Sequence, residues 1–428
     1  MRTRQRRFRL VHLAAATTAF AMAVVTTLSW AWTGGVDQIG LPMGAPGDPT
    51  VSAPAAASSA LPEPGVPVIP DANEAPAEPD VPAAPAPTTT ATALGGPRPA
   101  APGASRGRTG VCRTGVKLVP TCGILWGVAP GAFTDQRGRP ALASFEQKTQ
   151  RHQDIYHAYH RGLKQLFPTR QEIAIAREEG RERILFLNWK PVGASWAEIA
   201  KGDKKTDAFL DRLARHINEN FPEDFFFTVH HEAEDNVKEK PGSGYTARDY
   251  AAMFRYVVER LRAHGVDNLV TVLVHMAYVP HTTKSWFHRM YPGDDVVDWI
   301  GFDTYAYSDP GYGHGDFAEL LNRRMESKPA WPGFYNWAVT RHPDKPLMVA
   351  EWGVWSSKRN PGHKAEFYRE VGRQIGRFPN IRAMVHFDTP HNQKGMDSRV
   401  DATRESLAAY RRLGRMPIFQ VEVSNGLS

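Results

Sequence analysis

Beyond about residue 122 the chain alternates between short apolar runs and longer stretches in which apolar positions recur every three or four residues. The first pattern predicts strands and the second helices. Eight strands are predicted: Ile124 to Val128, Ile155 to Tyr159, Ile184 to Asn188, Phe225 to His230, Leu269 to Val274, Val297 to Phe302, Leu347 to Ala350 and Ala383 to Phe387. The clearest helix is Ala247 to His264, where Tyr250, Met253, Phe254, Val257, Val258 and Leu261 fall on one face. Thr246 and Asp249 have the spacing of a capping box, and Gly265 ends the helix. Another helix runs through Phe209, Leu210, Leu213 and Ile217, and a last one from Arg404 to Leu413. Such alternation is the signature of βαβ units. Eight units predict an α/β fold, a (β/α)8 TIM barrel, which needs about 250 residues. A doubly wound open sheet is the structural alternative, but no glycine-rich phosphate loop follows the first strand.

The chain ahead of these units is built differently. Residues 37–110 are dominated by Pro, Ala, Gly, Ser and Thr, as in Val51-Ser-Ala-Pro-Ala-Ala-Ala-Ser-Ser-Ala. They hold too few large apolar residues to bury a core, which predicts a disordered, partly extended linker. From Leu10 to Val36 there is no Asp, Glu, Lys or Arg, and Arg2, Arg4, Arg6, Arg7 and Arg9 precede that stretch. Its apolar run of about 23 residues exceeds the roughly 20 that span a bilayer. Residues 1–36 are therefore expected to be a secretory signal peptide or an uncleaved signal anchor. Ser29-Trp30-Ala31 offers a small-x-small cleavage site, while the length favours retention; no nearby cysteine supports a lipoprotein anchor. Either way the arginines stay inside and the bulk is exported, to an extracellular or cell-surface location, in type II orientation if the anchor is kept. The expected plan is 1–36 signal or anchor, 37–110 linker and 111–428 barrel domain, a monomer on a tether. Cys112 and Cys122 are the two cysteines of the chain. Export predicts that they form a disulfide, with a pair of free thiols as the alternative.

The net charge of +7 owes much to the N-terminal arginines, and the rest forms no Lys/Arg block. No nucleic-acid motif accompanies it. A basic chain suits an anionic surface or polysaccharide, or is simply solubilised by its charge.

Two glutamates carry the candidate chemistry. Glu232 follows Phe225-Phe226-Phe227-Thr228-Val229-His230-His231, and Glu351 follows Pro346-Leu347-Met348-Val349-Ala350. They follow the fourth and seventh predicted strands. A barrel brings the C-terminal ends of its strands to one rim, so the two converge despite 119 positions of separation. Two carboxyls suffice to cleave a glycosidic bond, one delivering a proton to the leaving oxygen and one meeting the anomeric carbon. His230, His231, Glu232, Glu234 and Asp235 lack the His-Glu-x-x-His spacing that sets two imidazoles on one helix face, so no catalytic metal is expected, and a two-carboxyl mechanism requires no cofactor.

Phe225 to Asp235, the run Tyr291-Pro292-Gly293-Asp294 through Gly301-Phe302-Asp303-Thr304-Tyr305, and Val349-Ala350-Glu351-Trp352-Gly353 together resemble the family 26 glycoside hydrolases of clan A. The resemblance covers roughly residues 120 to 415. It implies a retaining (β/α)8 endo-β-glycanase, β-mannanase or β-glucanase-like, with a polysaccharide substrate. It further implies Glu232 as acid/base, Glu351 as nucleophile and Tyr305 as a hydrogen-bond donor orienting Glu351. His231 is expected at the sugar or beside the nucleophile. Trp189 and Trp352 are expected to stack on pyranose faces, with His386 and His160 as further cleft contacts. After Glu232 this chain reads Ala233-Glu234-Asp235-Asn236 where the family continues with Met-Asn-Gly and tryptophans, so the aromatic platform of that loop is absent. Two other roles stand beside hydrolysis: a non-catalytic glycan-binding barrel at the surface, and an enzyme that trims or transfers chains during exopolysaccharide export.

Overall fold

The structure, a computed structural model, describes residues 111–392 and 396–423. The expected N-terminal anchor and linker, residues 1–36 and 37–110, lie outside the described residues. Among the described residues no helix is long and apolar enough to cross a membrane.

Eight parallel strands close into a barrel in chain order. They are β1 (Leu125–Pro130), β2 (Ile155–Arg161), β3 (Ile184–Lys190), β4 (Phe225–Val229), β5 (Leu269–Met276), β6 (Trp299–Tyr307), β7 (Leu347–Trp355) and β8 (Ile381–Asp388). Among the described residues ten α-helices lie between and after them: α1 (Gly138–Thr149), α2 (Arg170–Ala176), α3 (Trp196–Ile199), α4 (Lys204–Asn220), α5 (Ala247–Ala263), α6 (Val279–Thr282), α7 (Phe317–Leu321), α8 (Phe334–Arg341), α9 (His363–Gln374) and α10 (Arg404–Gly414). All eight predicted strands are present and the fold is the (β/α)8 barrel. The α5 helix carries its capping box: the Thr246 hydroxyl accepts from Asp249 N at 3.1 Å, and Asp249 Oδ2 accepts from Thr246 N at 2.8 Å. Such a cap contributes about 1 kcal/mol.

Most strands run further toward their C-terminal ends than the apolar pattern reaches, β6 and β7 by five residues each. The ladder continues from Asp303↔Glu351 to Tyr307↔Trp355. The apolar pattern stops earlier because alternate upper residues, Asp303, Tyr305, Glu351 and Trp355 among them, line the mouth of the barrel, while Ala306, Trp352 and Val354 pack on the helices.

The strands bury both faces, as parallel sheets do. One face fills the barrel with Ile155, Ile184, Phe186, Phe226, Val272 and Trp299, among others. The other packs on the helices through Trp126, Leu187, Trp189, Phe227, Val229 and Trp352. Gly301 belongs to the inner layer. A Cβ there would meet Val274 at 2.8 Å, Val272 at 2.9 Å and Ala350 at 3.4 Å, so glycine makes room for larger neighbours.

The N-terminal end of the barrel is plugged by residues 112–122. Cys112 and Cys122 form a disulfide. The loop it closes sets Leu118, 1% exposed, among the inner-layer residues, and Lys117 O accepts from Trp299 Nε1 at 2.8 Å. The C-terminal segment ties on through Glu422 N to Cys112 O at 2.8 Å. Closing a loop of this length restrains the unfolded chain by about 2.7 kcal/mol. The double change Cys112→Ser, Cys122→Ser is therefore expected to lower the melting temperature by several degrees. An unchanged melting temperature in differential scanning calorimetry would mean the bridge does not secure the plug.

Candidate active site

The C-terminal end of β4 leaves the extended conformation abruptly. His230 (φ 53°) and Glu232 (φ 50°) are both left-handed, although neither is glycine. Each such residue costs on the order of 1 kcal/mol or more and persists only where its surroundings hold it. His230 N donates to Trp189 O at 2.8 Å. Its ring Nδ1 accepts from Trp196 Nε1 at 3.0 Å and Nε2 faces Asn236 Oδ1 at 2.9 Å. Burial, with Lys190 nearby, pushes this imidazole down to about 3, so it stays neutral. The fixed turn throws His231 and Glu232 over the barrel axis.

Glu351 arrives by a different device. Along β7 the inner-layer residues are Met348 and Ala350, and strict alternation would send Glu351 outward to the helices. The β6–β7 register instead steps from Phe302↔Val349 to Asp303↔Glu351, a bulge in β7. One extra residue reverses the alternation. Glu351 then faces inward with Gly353 and Trp355, and Trp352 faces outward.

Three donors converge on the Glu351 carboxylate. Tyr159 Oη donates to Oε1 at 2.6 Å and Tyr305 Oη to Oε2 at 2.8 Å. His231 Nε2 lies 3.4 Å from Oε1, while its Nδ1 meets the Asn188 side-chain amide. Behind Tyr159 stands His157, whose Nδ1 is 3.1 Å from the phenol oxygen. That imidazole stacks on Phe186 at 4.0 Å, and burial lowers its pKa to about 3. Burial alone would raise Glu351; the His231 bond, the nearby imidazoles and the Tyr159 hydroxyl outweigh it and hold the carboxyl below its ordinary value.

Glu232 has the opposite surroundings. Burial lifts its carboxyl well above the usual range, and the charges of Glu351, Glu234 and Asp235 push the same way. Asp303, 3% exposed, is lifted likewise by burial and by Glu351 and Glu232, and its oxygens make no hydrogen bond of normal geometry. Glu234 is set apart by His275, whose Nδ1 is 2.6 Å from Oε1. The surroundings thus favour the ionised form at Glu351 and the protonated form at Glu232 and Asp303. Ligand atoms of His231, Glu232 and Asp303 lie within 4.8 Å of one another, the grouping among the described residues that would fit a cation. All three already serve the carboxyl network.

Residues 200–323 match the family described as Glycosyl hydrolase family 26. Endoglucanase H of Acetivibrio thermocellus is 27% identical over 297 residues, covering 67% of this chain and 30% of that protein. The chain thus spans under a third of that relative. Over residues 200–323 the chain is similar to glycosyl hydrolase family 26. A β-1,3-xylanase of Vibrio sp. is 37% identical over 70 residues, 16% of this chain and 15% of that protein. Among solved structures, a GH26 β-mannanase from Bacteroides ovatus aligns at 17% identity and TM-score 0.49, over 71% of this chain and 90% of that one.

Within this barrel, Glu232, Glu351, His231 and Tyr305 are brought together as described. Four expected sugar contacts lie elsewhere. Trp189 is fully buried on the helix side, stacked on Phe209 at 5.3 Å. Trp352 packs there against Trp126 and His386. His386 is fully buried, its Nε2 3.3 Å from Tyr368 Oη. His160 pairs with Glu172 at 3.1 Å and stacks on Phe167 at 4.5 Å. All four point away from the cleft because their neighbours Asn188, Glu351, Phe387 and Tyr159 point into it. Sequence reasoning passed over Tyr159, His157, Asn188 and Asp303. It also passed over an aromatic wall above β6 and β7, where Trp355 stacks on Tyr307 at 4.4 Å and 4°, and Tyr312 and the exposed Tyr278 continue the surface. The buried Arg323 lies beneath Tyr307 and Tyr312, 5.7 and 5.1 Å from their ring centres. The signal was available in the period-two run Asp303, Tyr305, Tyr307.

The raised Glu232 has a consequence for stability. The folded state holds this proton more tightly than the unfolded chain, whose glutamates titrate near about 4.3. Stability is therefore full below that value and falls as pH rises through the folded value. Glu232→Gln cannot ionise, so it is expected to melt higher than the wild type at pH 8 and together with it near pH 4. A difference of the same size at both pH values would contradict the raised carboxyl.

Proposed function

We propose that the barrel is a retaining endo-β-glycanase that hydrolyses an extracellular polysaccharide by double displacement. The observation that carries this reading is the divergence of two carboxyls at one rim, Glu232 held protonated and Glu351 held ionised. Glu232 delivers its proton to the glycosidic oxygen as Glu351 attacks the anomeric carbon. The departing glycan leaves a glycosyl ester on Glu351. Glu232, now a carboxylate, takes a proton from water, which attacks the anomeric carbon and frees Glu351. Tyr159, Tyr305 and His231 keep the nucleophile aimed and charged between turnovers. The aromatic wall of Trp355 and Tyr307 offers flat apolar surface to the CH-rich faces of the sugars. Similarity to that family supports the retaining course; the relatives' names span endoglucanase, β-1,3-xylanase and β-mannanase, so no single polymer is inherited. The N-terminal segment would export the barrel and, if retained, tether it to the membrane through the 37–110 linker.

Turnover on a polymer panel, with aryl β-glycosides alongside, tests the assignment. Glu351→Gln is expected to lose about a thousandfold or more in kcat on every substrate. Glu232→Gln is expected to lose as much on polymers but far less on an aryl glycoside with a good leaving group, which needs no proton. Equal losses on both substrate types would deny Glu232 the acid role, and near-wild-type turnover in both variants would end the hydrolase reading.

Tyr159→Phe and Tyr305→Phe each remove a donor from Glu351 and so raise its pKa. Activity requires ionised Glu351, so the acidic limb of the pH–rate profile should move to higher pH in both. An acidic limb unmoved in both would mean that Glu351 does not set it.

A further inference from the structure

We propose that His157 is a positioning residue for the nucleophile: with its hydrogen on Nδ1, it commits the single proton of Tyr159 to Glu351. This rests on the glycanase reading above and adds a residue that lies beneath the cleft.

Tyr159 has one hydroxyl hydrogen and two polar neighbours. Its Oη stands 2.6 Å from Glu351 Oε1 and 3.1 Å from His157 Nδ1. A phenol donates once, and a carboxylate only accepts. The hydrogen of Tyr159 therefore goes to Glu351, at the shorter contact. What the phenol offers His157 is a lone pair, so Nδ1 must donate to it. Burial pushes this imidazole down to about 3, which leaves it neutral. A neutral ring with its hydrogen on Nδ1 has a bare Nε2. That atom is buried with no hydrogen-bond partner. The other tautomer would strand an N–H there, and unpaired buried donors are rarer than unpaired acceptors.

The packing fixes the ring for this task. His157 and Tyr159 share the inward face of β2, and His157 pairs in register with Phe186 of β3. The imidazole stacks on Phe186 at 4.0 Å and 18° and lies against the Tyr159 ring at 4.2 Å. It is 4% exposed, too deep to touch a sugar. With the hydrogen on Nε2, the phenol would face two acceptors. Glu351 would then lose a donor whenever the hydroxyl turned to the imidazole. The hydrogen on Nδ1 removes that choice. It also polarises the phenol, which strengthens the bond to Glu351. Its loss weakens the hold on the charged carboxylate and raises the Glu351 pKa.

Two measurements on the full chain test this. The first is the tautomer, read by NMR from the ring nitrogen shifts and assigned by their loss in His157→Phe. The hydrogen is expected on Nδ1, and a hydrogen on Nε2 would overturn the inference. The second is the Glu351 pKa. It is read by NMR titration of the carboxyl carbon and by the acidic limb of the pH–rate profile on an aryl β-glycoside. His157→Phe keeps a flat ring on Phe186 but offers Tyr159 no hydrogen. It is expected to raise the Glu351 pKa by about half a unit and to move the limb with it. Adding His157→Phe to Tyr159→Phe should move the limb no further, since His157 acts through the phenol. His157→Asn, whose amide can donate from the place of Nδ1, should return most of the shift. A Glu351 pKa unmoved in His157→Phe would overturn the inference, since the imidazole would then only fill space. Should that variant fail to fold, the wild-type tautomer decides. If no glycoside is turned over, the hydrolase reading falls, and the tautomer and the carboxyl titration still decide the role of His157.

Discussion

The site hangs on one extra residue in β7. Were the strand regular past Ala350, the Glu351 carboxylate would enter the layer between barrel and helices, among the rings of Trp126, Tyr368 and Tyr410 and away from Tyr159, Tyr305 and His231. An ionised carboxyl in such surroundings is prohibitively costly. The bulge turns it inward, where Tyr159, Tyr305 and His231 are waiting. The same step sends Trp352 outward to complete the aromatic packing around Trp126. Gly301, across the β6–β7 ladder, leaves the space that the displaced Ala350 needs. Position of the charge and integrity of the outer layer are thus settled by a single backbone irregularity.

Around that fixed charge the other carboxyls must yield. Glu232, Asp303 and Glu351 cannot all ionise in one buried space. The donors decide which does: three aim at Glu351 and none of normal geometry at Asp303. Glu232 pays further through its left-handed backbone. The barrel tolerates this because its strain is local, while the two apolar layers beneath run the full circuit of strands.

The fold was legible because eight apolar runs separated by helical periodicity leave few other arrangements, and the two glutamates were legible because each closes such a run. The phase of the strands was not. His160 was favoured where Tyr159 faces the cleft, Trp189 where Asn188 does, and His386 where Phe387 does. Every one of these is a single position off. In a parallel barrel both faces of each strand are apolar, so the sequence shows a continuous run with no polar face to mark which parity is inside. In β7 even a correct phase at Met348 would have misplaced Glu351 and Trp352, because the bulge reverses it.

The aromatic surface and the acid-bearing turn lie on different strands of the rim. The loop after Glu232 is occupied with internal bonds: Glu234 to His275, Asp235 to His281, Asn236 to His230 and Lys190. Those bonds hold the strained turn, and bulky rings inserted there would have to displace them. Flat apolar surface is available instead further round the rim, where the extended β6–β7 ladder sets Tyr307 against Trp355 and Arg323 braces Tyr307 and Tyr312 from below. A glycan drawn to that wall would lie on the nucleophile's side of the cleft, with the acid-bearing turn and its polar neighbours facing it. The long β6–β7 ladder thus supplies the flat apolar surface that the bonded turn after β4 does not.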